Sequence, residues 1–264
     1  MLIAQISDTH IKPDGQIAYR RVDTADFLAK AVAHLNALHP RPDLVLVTGD
    51  LVDAGAPIEY ARLKALLAPL AMPFYLIVGN HDARDALRAA FTEHRYLPAD
   101  GFVQYVIEGH PVRLIGLDTL VPGEGHGEMC ATRLDWLEAR LAESDRPTIL
   151  FMHHPPFECG MAYMDGERLR DGADRLATIV QRHPNIERVL CGHVHRSIQV
   201  RWAGTIAATA PSTAHQLTLD LDPAAPLTFK MDPPGALLHA WRPGSGLVSH
   251  ISFIGDYDGP HRFR

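Results

Sequence analysis

Five short clusters in this 264-residue chain bring together side chains suited to holding a transition metal. They are Asp8-Thr9-His10, Gly49-Asp50, Gly79-Asn80-His81-Asp82, His153-His154 and Gly192-His193-Val194-His195. Carboxylate, amide and imidazole donors without thiolate suit Mn, Fe, Zn or Co. Two such ions held side by side repel, so a carboxylate must bridge them; the pair can then polarise an oxygen and generate a nucleophile from water. Each cluster alone also reads as an ordinary polar turn. Five coincident turns do not explain why histidine occurs at four of the clusters. Glycine precedes Asp50, Asn80 and His193, where it allows close backbone approach, and Pro155-Pro156 stiffens the chain just after the histidine pair.

The elements needed to position these clusters are legible from periodicity. Apolar runs at 2–7, 43–48, 73–78, 148–152 and 186–191 read as strands, and each runs out into one of the clusters. Helical spacing is read over about 24–38, from Pro57 to about Leu67, from Asp82 to about Ala90, and over 172–182. Another helix is expected to start in a capping-box-like Thr132-Arg133-Leu134-Asp135 and end near Leu141. Segments 102–108 and 112–118 read as a hairpin. Beyond Arg201, short β segments at 204–208, 216–221, 227–231 and 247–254 alternate with Pro and Gly clusters. The alternation predicts an α/β fold, a four-layer αββα sandwich of two stacked mixed sheets flanked by helices, with a β-rich C-terminal extension. The expected division is a catalytic domain at 1–203 and a part at 204–264 that completes the second sheet and serves oligomerisation. Ligands gather at the carboxyl ends of strands in such sheets, which is where the clusters fall.

Composition bounds the partners. No apolar run is long enough to span a membrane, and the chain opens on an apolar strand rather than a signal peptide. Three cysteines without C-x-x-C spacing exclude a disulfide framework and fit a cytoplasmic protein. A net charge of −6 gives no general attraction for nucleic-acid polymers or anionic lipid. A phosphate substrate would need local positive charge, which metal ions can supply. Sixteen histidines raise the prior for a metal site without placing it.

Taken in order, the clusters resemble the calcineurin-like metallophosphoesterase superfamily, and within it the bacterial class III cyclic-nucleotide phosphodiesterases and related glycerophosphodiesterases. Ile6-Ser7-Asp8-Thr9-His10, Met152 through Pro156, Met164-Asp165, Cys191 through His195 and Pro211 through His215 carry the narrower match, which covers about residues 1–215. The resemblance implies that Asp8, His10 and His195 hold one metal, Asn80, His153 and His193 the other, and that Asp50 bridges them. It casts His81, and with it Asn80, toward the substrate, His81 stabilising phosphoryl oxygens or protonating the leaving alkoxide. His154 is read as a structural neighbour of His153, with an exchange of roles left open. His215 is a second substrate contact or a plain β-tail histidine. His34, His39, His94 and His183 are expected on the solvated surface.

Two departures bear on the reaction. Purple acid phosphatases carry tyrosine where Asp53 stands, and protein serine/threonine phosphatases carry a phosphate-binding arginine where Ala54 stands. The missing arginine tilts the reading from dianionic monoesters toward diesters, with Arg84 left as a nearby substitute. The expected reaction is hydrolysis of a small phosphodiester, a cyclic nucleotide or a glycerophosphodiester, by in-line attack of a metal-bound hydroxide. The alternatives are a monoesterase or nucleotide pyrophosphatase with the same metals, and a non-catalytic scaffold. The segments 11–23 and 157–170 are expected to border the site, and the β-rich tail to pair in a homodimer or larger homo-oligomer.

Overall fold

Leu44–Thr48 is buried at all five positions and Leu2–Ile6 at four of five, as strands covered on both faces must be. In the computed structural model, which describes residues 1–263, they form β1 (Leu2–Ile6) and β2 (Leu44–Thr48), joined by α1 (Thr24–Ala37). There follow α2 (Pro57–Leu67), β3 (Phe74–Ile77), α3 (Arg84–Ala90), β4 (Tyr105–Ile107), β5 (Arg113–Gly116), β6 (Gly127–Glu128) and α4 (Ala131–Leu141). Next come β7 (Thr148–Phe151), α5 (Ala162–Gly166), β8 (Leu169–Asp171), α6 (Ala173–Arg182) and β9 (Ile186–Cys191). The tail adds β10 (Ile198–Trp202), β11 (Thr205–Thr209), β12 (Gln216–Leu217), β13 (Phe229–Lys230), β14 (Gly235–Arg242) and β15 (Gly246–Phe253).

Two sheets face each other. The first has the order β15-β14-β1-β2-β3, with β1, β2 and β3 parallel. The second has the order β10-β11-β9-β7-β5-β4, parallel from β11 to β5 and closed by antiparallel β10 and β4. One apolar core, from Ile3 and Leu46 to Leu150 and Leu190, fills the space between the sheets and under the helices. Polar links cross it: Gln5 Nε2 on β1 donates to the Cys191 carbonyl on β9 at 2.9 Å, and Tyr105 Oη on β4 donates to the Leu76 carbonyl on β3 at 2.7 Å. The carboxyl ends of β1, β2, β3, β7 and β9 therefore open at one common rim. The expected mixed α/β sandwich is what the chain forms.

Local chemistry accounts for the helix that follows the second cluster. Pro57 occupies the first turn of α2, where its missing N–H costs nothing, and the Glu59 carboxylate accepts from the amides of Ala54 and Ala56 at 3.0 Å each. Other local expectations need correction. Thr132 is not a cap: α4 starts at Ala131 behind Cys130, with no side-chain cap bond. His94 is not solvated but packs between Phe74 and Phe91, and His34 bonds Ser252 on β15 at 2.8 Å.

The tail does not simply complete the second sheet. β10 and β11 do join it, but β14 and β15 extend the first, β14 pairing antiparallel with β1 from Leu2↔Ala240 to Gln5↔Leu237. The β14 segment, with its Ala and Leu content, carries no strong strand signal of its own. Its strand character comes from hydrogen bonding to β1 on one side and β15 on the other. The three cysteines are free, and among the described residues no helix is long and apolar enough to cross a membrane.

Candidate metal centre

Asp8 and His10 follow β1, Asp50 follows β2, Asn80 and His81 follow β3, His153 follows β7, and His193 and His195 follow β9. Five of the seven candidate ligands bend the backbone into the left-handed region: Asp8 (φ 55°), His10 (41°), Asp50 (47°), His193 (72°) and His195 (51°). Each such residue costs about 1–3 kcal/mol and persists only where its surroundings hold it. Here they do. The amides of Asp8 and His10 donate to the carbonyls of Gly49 and Asp50 at 3.1 and 3.0 Å, and the His193 amide donates to the Asp8 carboxylate at 3.0 Å. Ser212 Oγ ties the Asp8 carbonyl at 2.9 Å, so the segment 211–215 closes over the first loop.

Glycine makes the close approach possible. A Cβ on Gly192 would stand 2.1 Å from Ser7 Oγ and 2.6 Å from the Thr48 carbonyl oxygen, and one on Gly79 would stand 2.3 Å from Asp50 Oδ1. Asp82, whose role the sequence reading left unassigned, proves to be the brace of this corner. Its buried carboxylate accepts from the amides of Gly79 (2.8 Å), Leu51 (3.1 Å) and Val52 (3.3 Å) and from Tyr60 Oη (2.9 Å). Burial, followed by the nearby Asp50 charge, raises it to about 7. Its place inside the Gly79-Asn80-His81-Asp82 motif was the one signal available.

Six of the seven side chains form two trios. In one, His10 Nε2 lies 3.0 Å from His195 Nε2, which lies 3.5 Å from Asp8 Oδ1. In the other, Asn80 Oδ1 is 3.1 Å from both His153 Nε2 and His193 Nδ1, themselves 3.3 Å apart. Asp50 lies between them, Oδ2 3.6 Å from His10 Nε2 and Oδ1 3.3 Å from His153 Nε2. With metal–ligand bonds of about 2.1 Å, neighbouring donors stand about 3.0 Å apart at right angles and about 3.4 Å apart at the tetrahedral angle. The observed spacings match those of a coordination shell.

The donor chemistry also fits a cation. His195 Nδ1 donates to the His215 carbonyl at 3.1 Å, leaving the Nε2 lone pair aimed at His10 and Asp8. Burial holds His195 down to about 4 and His193 down to about 3, with His10 well below its usual value, so these rings are the neutral form that ligates metals. Burial also raises the Asp8 carboxyl to about 7, with Asp50 adding and His153 opposing. Burial pulls His153 down, but the Asp50 carboxylate outweighs it and raises the ring to about 9. Asp50 itself, pushed up by burial, is held well below the usual carboxylate range by His153 and His81. The lone pairs of His10, His193 and His195 and the Asp50 carboxylate thus converge on one pocket, and no lysine or arginine lines it.

His154 lies in one cluster with His153 and His193, but both of its ring nitrogens are engaged by other groups. Its Nδ1 is 2.7 Å from Thr119 Oγ1 and its Nε2 donates to the Gly125 carbonyl at 3.1 Å, so neither nitrogen is free. His81 Nδ1 donates to the Asp53 carbonyl at 2.7 Å, which turns Nε2 toward the centre, edge-on to His10. Burial lowers His81, and the Asp50 carboxylate and Asp53 carbonyl more than offset it and raise it. His215 stacks edge-on to His195 at 4.8 Å, and with His81, Tyr19, Tyr163 and Met164 it lines a cavity of about 490 Å³ in front of the cluster. Both expected bordering segments are there. Arg84 is not the free substitute for a phosphate-binding arginine: it grips Asp118 with Nε (2.6 Å) and Nη2 (2.7 Å) and reaches the Leu120 carbonyl. Asp53 is ion-paired with Lys12.

The calcineurin-like phosphoesterase family model matches residues 1–197. The chain belongs to this family. Over its whole length it is 40% identical to a probable glycerophosphodiester phosphodiesterase of Arcobacter nitrofigilis, covering 97% of that protein. It is 36% identical to a glycerophosphodiester phosphodiesterase of Enterobacter lignolyticus, over 98% of this chain and 94% of the other. A 3′,5′-cyclic adenosine monophosphate phosphodiesterase of Escherichia coli is 32% identical over 85% of this chain and 82% of its own length. Among solved structures, a dimetal phosphatase of Danio rerio superimposes with a TM-score of 0.66 at 16% identity, covering 97% of this chain and 99% of its own. That likeness shows the fold alone. Membership of the family, with the two trios, implies a binuclear metal site.

Proposed function

We propose that this chain hydrolyses small phosphodiesters, with Asp8, His10 and His195 holding one metal, Asn80, His153 and His193 holding a second, and Asp50 shared between them. Mn, Fe, Zn and Co suit the donor set, which contains only nitrogen and oxygen. Bound there, such ions supply Lewis acidity at a phosphoryl oxygen and a nucleophile at neutral pH.

The observation that carries the diester reading is the surroundings of His81 and Asn80. They stand between two clefts: the cavity already described, and a second of about 480 Å³ lined by Arg84, Arg88, Leu120 and Gly123. A phosphodiester has two substituents to house; a monoester has one. No lysine or arginine lines the first cavity; in the second, Arg84 is committed to Asp118 and Arg88 to Asp85 and the Pro98 and Gly101 carbonyls, so the protein offers little for the second charge of a monoester. The named activities of the full-length relatives support the same reading. Asn80 and His81 bind the phosphoryl group, and His81, its Nδ1–H anchored on the Asp53 carbonyl, presents Nε2 to the departing oxygen as the proton carrier. His215, at the cavity wall, is the second substrate contact.

The test is metal-dependent hydrolysis of bis(p-nitrophenyl) phosphate by Asp50→Ala and Asn80→Ala. Both lose turnover; near wild-type rates in both would remove the assignment. Preference for p-nitrophenyl phosphate over the diester under the same metal conditions would favour a monoesterase instead. Self-association has an open edge to use, since β15 ends the first sheet and exposes Val248, Ile251 and Phe253. A monomeric mass by sedimentation would discard it.

A further inference from the structure

The first trio draws its ligands from two places far apart in the chain, Asp8 and His10 after β1 and His195 after β9. A third segment bridges them. Residues 209–217 lie beyond the stretch that the family model matches, and they bond to both loops. Toward the loop after β9, the Ala210 amide donates to the Cys191 carbonyl at 2.9 Å and Thr209 Oγ1 to the Arg196 carbonyl at 2.5 Å. In return, His195 Nδ1 donates to the His215 carbonyl at 3.1 Å and Arg196 Nη1 to the Leu217 carbonyl at 2.6 Å. Toward the loop after β1, Ser212 Oγ donates to the Asp8 carbonyl at 2.9 Å and the Thr213 amide to the Ser7 carbonyl at 3.3 Å.

A closed ring of hydrogen bonds keeps this bridge in shape. The Gln216 side chain holds both backbone groups of Ser212: Oε1 accepts from its amide at 3.2 Å and Nε2 donates to its carbonyl at 2.8 Å. Ser212 Oγ also accepts from the Ala214 amide at 3.1 Å. The two ends of the 212–216 loop are thus fastened together, one carrying the hydroxyl on Asp8 and the other the carbonyl on His195. Ser212 is wholly buried and Gln216 nearly so, which keeps water from replacing a bond that is lost. Asp8 depends on such support because its left-handed backbone (φ 55°) persists only where neighbours hold it. His195 depends on it because the carbonyl at Nδ1 fixes the ring and leaves Nε2 for a metal.

The second trio is supported differently. His153 Nδ1 is fixed by the Thr48 carbonyl at 2.8 Å, and Asn80 stands in the corner braced by Asp82. Among the described residues, no hydrogen bond runs from 209–217 to Asn80 or His153. We propose that Ser212 and Gln216 are positioning residues for the first metal, holding Asp8 and His195 in register across the two loops. This rests on the two-metal reading of the site, and it makes one of the two metals dependent on chain outside the family-matched stretch.

The test titrates metal-stripped, full-length protein with Co(II) and follows the visible absorption of the bound ion. Two backgrounds separate the sites: Asn80→Ala leaves the first trio intact, and His10→Ala leaves the second. Ser212→Ala, and Gln216→Met, which is of similar length but makes neither bond, are introduced into each. In the Asn80→Ala background each should weaken Co(II) binding by about 10–100-fold, the usual effect of removing a partner that orients a metal ligand. In the His10→Ala background the loss should be smaller by about tenfold or more. A role confined to folding would weaken both sites alike. Equal losses in the two backgrounds, or no loss at the first site, overturn the proposal. If the protein without these substitutions binds no Co(II), the two-metal reading falls and takes this inference with it. If it binds two ions per chain and Ser212→Ala and Gln216→Met weaken both sites equally, the inference alone fails.

Discussion

Replacing Gly79 with alanine probes how the centre is assembled without touching any candidate ligand. The new Cβ would stand 2.3 Å from Asp50 Oδ1, 2.4 Å from the Asp50 amide nitrogen and 2.8 Å from His153 Cδ2. Ordinary contact begins near about 3.5 Å, so something must move by about 1 Å. The neighbours have little freedom. Asp50 is 2% exposed, His153 is wholly buried with Nδ1 bonded to the Thr48 carbonyl at 2.8 Å, and the Gly79 amide is held by Asp82. Overpacking of this kind costs about 1–3 kcal/mol, against a total of about 5–15 kcal/mol for a folded domain. At about 2–4 °C per kcal/mol for a chain of this size, Tm should fall by roughly 2–12 °C and the protein should stay folded. Function should suffer far more, because about 1 Å of misplacement at a reacting centre costs on the order of 100-fold. The assay is kcat/KM for bis(p-nitrophenyl) phosphate with metal content measured on the same samples. Activity should drop about 100-fold and metal content should fall below two per chain. Gly109→Ala, whose Cβ meets nothing within 4 Å, is the control and should change neither. A Gly79→Ala enzyme within about threefold of wild type and with unchanged metal content would refute the crowding argument.

His154→Ala should destabilise the fold by about 1–3 kcal/mol, through the lost partners of Thr119 and Gly125, while keeping both metals. His153→Ala should lose metal, and elemental analysis of the two variants would refute the assignment if the pattern were reversed. Chelation should lower Tm, with Mn, Co or Zn restoring it, because ions that bind only the folded state stabilise it by mass action; equal melting curves with and without chelator would deny a resident metal. In metal-free protein, His239 should confer acid sensitivity. Burial, and then Arg188, lower it to about 3, so between its usual 6.5 and about 3 the unfolded chain binds a proton that the folded chain refuses. Stability therefore falls as pH falls through that window, and His239→Gln should flatten the slope there by up to about 1.4 kcal/mol per pH unit. Parallel urea-denaturation profiles for the two proteins would contradict this.

Much of the centre was legible from residue type and order. Asp8, Asp50, Asn80, His153 and His193-Val194-His195 each follow a buried apolar run, and strands of a parallel sheet deliver their ends to one rim. Local pattern therefore implied spatial convergence. The choice between His153 and His154 was not local. It turns on where the two rings find partners: Thr48 and Asn80 for one, Thr119 and Gly125 for the other, all of them 29 or more residues away in sequence. The same holds for Arg84, which looked available and is spent on Asp118, 34 residues on.

The sequence by itself determined the α/β alternation and the family, and it named the candidate donors, because burial periodicity and turn chemistry are written over a few neighbouring residues. Only the tertiary structure decided the left-handed turns at the candidate ligands, the role of Asp82 and the passage of β14 into the first sheet beside β1. Each of these depends on hydrogen bonds, charges or surfaces contributed by segments distant in the chain. No short stretch of sequence carries the information that they meet.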